Sequence, residues 1–68
     1  MPTKPRVLKA ALTRLGAVIR PGKGGHQVAV LNGRKAHIPN HGKGFEISDN
    51  LLIKILKDLG LSREDVGL

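Results

Sequence analysis

The sequence has 68 residues, 40% of them apolar, with no cysteine and a formal net charge of +7. At this length a chain buries only about 60% of the surface it exposes when unfolded, so one small core and a single domain over residues 1–68 are expected. The missing cysteines exclude a disulfide framework and a cysteine-based zinc site, and no apolar run approaches the roughly 20 residues that span a bilayer.

Thr3 is a candidate cap for a first helix with Pro5 in its opening turn, where proline is tolerated. Leu8, Ala11, Leu12 and Leu15 then recur at helical spacing as one apolar face, and Gly16 is the expected stop. Lys4, Arg6, Lys9 and Arg14 fall on the outer side. Lys9 and Arg14 also interrupt the N-terminal apolar pattern, so no signal peptide is expected and a reducing cytoplasm is the expected location.

Beyond Gly16 the apolar period changes from near 3.6 to near 2. Ala17 to Arg20 reads as a short strand stopped by Pro21-Gly22, and His26 to Leu31 as a second strand with Val28 and Val30 on one face. Asn32-Gly33 follows, a pair that accepts the positive φ angles of a type I′ hairpin turn. Arg34 to Pro39 is the third strand, with Ala36 and Ile38 inward and Lys35 and His37 outward. Residues 40–47 have no period and read as a loop.

Ser48 or Asp49 caps a second helix. Its buried stripe is Leu52, Ile55, Leu56 and Leu59, and Gly60 ends it, with Leu61 folding back onto the stripe. This helix is too short for a membrane span or a coiled coil, so core packing is its expected role. Ser62-Arg63-Glu64-Asp65 starts a final helical turn. The predicted order is α-β-β-β-α: an α+β fold with a three-stranded antiparallel sheet, both helices on one face and the other face open.

The charge is divided along the chain. Residues 1–45 hold nine cations and no carboxylate, whereas residues 46–68 hold three cations and five acids. A basic segment of that length cannot neutralise its own field, so polyanions are the expected partners: nucleic acid, a membrane surface or an acidic protein. Phe45 is the only aromatic residue, which removes recognition by stacking several bases and leaves phosphate and shape contacts.

Within the basic segment, Pro21-Gly22-Lys23-Gly24-Gly25 leads into His26. Glycines let backbone approach a phosphate closely, successive free N–H groups bind anions, and Lys23 adds a cation. Histidine is the usual proton carrier near neutral pH. One imidazole beside such a cradle suffices for metal-free RNA cleavage. The residues alone leave a second reading open, a hairpin turn that needs glycine followed by a solvated histidine. A metal on His26, His37 and His41 is not expected: a spacing of four suits a helix, Pro39 ends a strand between the last two, and no carboxylate lies nearby in sequence.

Gly24-Gly25-His26 opening a strand, then Ile38-Pro39-Asn40-His41, then the closing Ile55 to Val66 segment "ILKDLGLSREDV" resemble, in order and over nearly the whole chain, the HicA (YcfA-like) family of small toxins. That resemblance implies a fold like the double-stranded-RNA-binding domain and an mRNA interferase of a bacterial toxin–antitoxin pair, working without a cofactor. It implies that the family's catalytic histidine falls on His26. The expected helpers are Lys23 for charge and Gly24-Gly25 as the phosphate cradle, with Lys9, Arg20, Arg34 and Lys35 guiding RNA. A HicB-like antitoxin is the implied protein partner. The chain departs from the family pattern by carrying Gln27-Val28-Ala29 where an aromatic residue usually follows the histidine, Asn50-Leu51 in place of Gly-Thr, and a loop after His41 about two residues longer. The alternative function is a non-catalytic basic RNA- or DNA-binding module, and a third is a structural protein whose basic face meets an acidic chain.

Overall fold

Pro5 is the first residue of α1 (Pro5–Arg14) in the computed structural model, which describes residues 2–68. Proline there loses no helical hydrogen bond and forces its predecessor out of the helical region. Lys4 accordingly takes the cap position with extended backbone and no side-chain cap bond. Thr3, expected as the cap, instead pairs with Ile47 through two backbone hydrogen bonds, Thr3 N–H to the Ile47 carbonyl at 2.9 Å and the reverse at 2.7 Å. Pro5, Leu8, Ala11 and Leu12 form the buried face of α1. Leu15 departs from it: the helix ends at Arg14, Leu15 becomes the C-cap, and its side chain is 41% exposed. Gly16, at φ +98°, donates to the Thr13 carbonyl while Ala17 donates to that of Leu12, closing the helix with a Schellman arrangement.

The sheet has the order β1 (Val18–Pro21), β2 (Gln27–Leu31), β3 (Arg34–Ile38), antiparallel throughout. The first strand is displaced by one residue from the expected span and ends on Pro21, which an edge strand tolerates. His26 and Pro39, expected inside strands, lie just outside them. Asn32 and Gly33 adopt φ +51° and +79° between the paired Leu31 and Arg34, as a type I′ turn requires. The alternation of side chains turns Ala29, Leu31, Ala36 and Ile38 into the core. Val28 and Val30 share a face as expected, and it is the face away from the helices, where they stand in register with Arg20, His37, Val18 and Lys35.

Ser48 caps α2 (Asp49–Asp58), its Oγ accepting the Leu51 N–H at 3.3 Å. Leu52, Ile55, Leu56 and Leu59 are buried, as the spacing predicts. Gly60 (φ +73°) and Leu61 repeat the closing pattern of α1. A capping box between Ser62 and Asp65 opens α3 (Arg63–Val66), which buries Val66. α1 packs over β1 and α2 over β3, giving the α-β-β-β-α sandwich with a short additional helix. Leu8, Leu12, Ile38, Ile47, Leu52, Ile55 and Leu56 are the large side chains sealed at its centre. No helix among the described residues is long and apolar enough to cross a membrane.

Ile47 both anchors residues 40–47 in the core and holds the Thr3 bridge. Ile47→Ala is expected to lower unfolding free energy by about 2–5 kcal/mol, read as a fall in the urea midpoint by circular dichroism. An unchanged midpoint would contradict its place in the core.

Candidate functional site

The turn from Pro21 to His26 is set by space as much as by flexibility. Gly22 has an ordinary negative φ of −120°, yet a Cβ on it would meet the His26 carbonyl oxygen at 3.0 Å. Its N–H donates to that same carbonyl at 2.8 Å, and the His26 N–H donates to the Lys23 carbonyl at 3.1 Å. Two backbone hydrogen bonds therefore fix the residue that leads into β2. Gly24 and Gly25, within the 3₁₀ turn Lys23–Gly25, have φ of +61° and +82°. No backbone hydrogen bond takes up the Gly24 N–H among the described residues, which leaves a donor free for an anion, whereas the 3₁₀ turn directs the Gly25 N–H toward the Gly22 carbonyl.

The Asn40 carbonyl lies 3.5 Å from where a Gly25 Cβ would stand, so the turn and the loop after β3 touch. That loop is shaped by an Asx turn, the Asn40 Oδ1 accepting the Gly42 N–H at 3.3 Å, and by Phe45 N–H on the Gly42 carbonyl at 3.2 Å. It carries two rings to His26. The His41 ring meets that of His26 edge to face, centroids 4.9 Å apart at 81°. Phe45 meets His41 in the same way at 4.7 Å and 88°. His26 and Phe45 are half-buried and His41 is exposed.

Phe45 also walls a cleft of about 280 Å³ between this loop and the start of α1, lined in addition by Lys4, Arg6, Lys9 and Asn40. None of its lining residues is acidic. The ion pairs among the described residues, Lys54–Asp58 at 3.1 Å and Arg63–Asp49 at 3.8 Å, both lie within residues 46–68. Among the described residues, then, none of the nine cations of residues 1–45 is neutralised by a carboxylate.

The expected site residues divide into two groups. Lys23, Gly24, Gly25 and His26 are contiguous, Lys9 reaches the adjoining cleft, and Arg20 stands on the open face opposite Val28. Lys35 shares that face further along, opposite Val30. Arg34 does not join them. It pairs with Leu31, five strand positions and so roughly 16 Å from His26, and its guanidinium packs across Gly60, 3.2 Å from a Cβ there. The sequence leaves His41 and Phe45 without a role. The Pro39-Asn40-His41 step was visible, but its return to His26 depends on the sheet register. Phe45 gave no signal beyond being the only aromatic residue. Among the described residues no three His, Cys, Asp or Glu side chains come together as metal ligands. Gln27, which follows His26, shares the helix-facing side with Ala29 and Leu31, and its Oε1 is enclosed without a hydrogen-bond partner.

Gly22→Ala is expected to press on the His26 carbonyl and cost about 1–3 kcal/mol as overpacking. Gly24→Ala, in open space at φ +61°, is expected to keep the ring contact. Proton NMR of His26–His41 cross-relaxation checks this: the contact should be lost in the first variant and retained in the second.

Against known proteins, the model of the HicA toxin of bacterial toxin–antitoxin systems matches residues 6–61, from the second residue of α1 to the residue after Gly60. No curated protein matches the chain.

Proposed function

Because this chain belongs to the HicA toxin family of bacterial toxin–antitoxin systems, we propose that it is a cytoplasmic endoribonuclease that cleaves mRNA, with His26 as its acid/base and no metal cofactor. The observation that carries the proposal is the setting of His26: a half-buried imidazole beside a glycine turn with a free Gly24 N–H, inside a basic segment with no acid of its own.

In this reading a phosphodiester sits on Gly24-Gly25. The Gly24 N–H and the Lys23 ammonium stabilise the charge that gathers on the phosphoryl oxygens in the transition state. His26 takes the proton of the adjacent 2′-hydroxyl, whose oxygen attacks phosphorus in line with the departing 5′-oxygen. The product is a 2′,3′-cyclic phosphate. Lys4, Arg6 and Lys9 around the cleft, with Arg20 and Lys35 on the open sheet face, draw the rest of the strand in through its phosphates. Arg34, packed on Gly60, contributes to the general field and not to the site. An antitoxin of HicB type that masks this basic surface is the protein partner.

RNA cleavage in EDTA should persist for the wild type and fall by about 10²–10⁴-fold in His26→Ala. A variant within a few-fold of wild type would remove His26 from the role. Salt-sensitive binding with no cleavage by the wild type would instead establish a non-catalytic module. For binding itself, Lys9→Ala should weaken affinity across sequences and flatten the slope of log K against log salt by about 0.7, the share of one phosphate contact on a single strand.

A further inference from the structure

Cleavage through the 2′-hydroxyl requires two proton transfers at two different oxygens. One proton leaves the 2′-oxygen as it attacks, and one reaches the 5′-oxygen as the P–O bond breaks. The two oxygens lie on opposite sides of phosphorus in an in-line displacement, so a single imidazole fixed by its backbone is poorly placed to serve both. His26 is fixed in this way, through the Gly22 N–H on its carbonyl and its own N–H on Lys23.

A second imidazole stands beside it. The His41 ring touches that of His26 at 4.9 Å, and it is held there from three directions. Phe45 backs it at 4.7 Å, the Asx turn of Asn40 fixes the preceding backbone, and the Asn40 carbonyl rests against Gly25 of the cradle. The third imidazole stands elsewhere: His37 projects from β3 in register with Val28, which in turn faces Arg20, on the open face.

We propose that His41 is the second catalytic residue, the general acid that protonates the leaving 5′-oxygen. The inference rests on the ribonuclease reading above. In the forward step the 2′-O–H bond breaks and its proton passes to a ring nitrogen of neutral His26. The freed electron pair forms the new bond from the 2′-oxygen to phosphorus. The bond from phosphorus to the 5′-oxygen breaks, and that oxygen takes a proton from the His41 imidazolium. The products are the 2′,3′-cyclic phosphate and a 5′-hydroxyl, with His26 now protonated and His41 neutral. Exchange with solvent restores both.

The test uses the full chain as wild type, His26→Ala and His41→Ala, each on two dinucleotide substrates. One is ordinary RNA. The other carries sulfur in place of the bridging 5′-oxygen, a leaving group that departs without a proton. His41→Ala is expected to lose about 10²–10⁴-fold on ordinary RNA and to return to within about tenfold of wild type on the sulfur substrate, where general acid catalysis has nothing to add. His26→Ala should stay slow on both. His41 is exposed, so its variant should melt like the wild type. A merely structural histidine would slow both substrates equally, and that result, or a His41→Ala rate within a few-fold of wild type on ordinary RNA, would overturn the proposal. Rescue of His26→Ala in place of His41→Ala would overturn the assignment as well. Failure of the wild type to cleave either substrate removes the ribonuclease reading and this proposal together, whereas wild-type cleavage with an indifferent His41 removes only the second.

Discussion

The register between β2 and β3 is the constraint on which the rest of the structure depends. A slip of one residue would keep one strand in place and turn the buried pair of the other, Ala29 and Leu31 or Ala36 and Ile38, away from the helices. Asn32 and Gly33 prevent it, because a two-residue turn with both φ angles positive allows only the pairing of Leu31 with Arg34. The same register decides where the chemistry gathers. Its last pair is Gln27 with Ile38, so His26 and Pro39 leave neighbouring strands at the same end of the sheet. The glycine turn before β2 and the loop after β3 thus start side by side, and His41 meets His26 although the two are far apart in sequence.

This explains which parts of the molecule were legible beforehand. Leu52, Ile55, Leu56 and Leu59 revealed α2 because a helix repeats its buried face locally, and Asn32-Gly33 revealed the hairpin because turn type follows from residue type. Gly16 and Gly60 marked helix ends for the same reason. What escaped was decided by partners distant in the chain. Nothing local to Thr3 announces Ile47, and its hydroxyl made it a plausible cap until Pro5 put Lys4 in that position. Arg34 looked equivalent to Lys35 as a surface cation. They are neighbours on a strand and so lie on opposite faces, and only the helix-facing one finds Gly60 to pack on.

The site was legible in the same proportion. His26 and its glycines are contiguous and could be read as a unit, and likeness to a family with a known histidine strengthened that reading. The family's usual aromatic residue after the histidine is absent, and Gln27 in that neighbourhood turns to the helix side. An aromatic ring nevertheless reaches the site from another segment, since Phe45 supports His41. Charge separation along the chain was visible from composition. Its meaning became sharper once the ion pairs among the described residues were found inside residues 46–68, leaving the basic side chains of residues 2–45 free to act outward.

None of the seven large side chains sealed in the core lies between residues 20 and 26 or between 39 and 46. The material that packs the protein and the material that would touch substrate are therefore held in separate stretches of chain. Changes in those two stretches spare the sealed interior, as surface connections generally permit, except at positions such as Gly22, where a side chain would crowd the turn, and Phe45, which packs against the core. Diversification of targets within a lineage can accordingly proceed through two short connectors, while the scaffold is inherited unchanged.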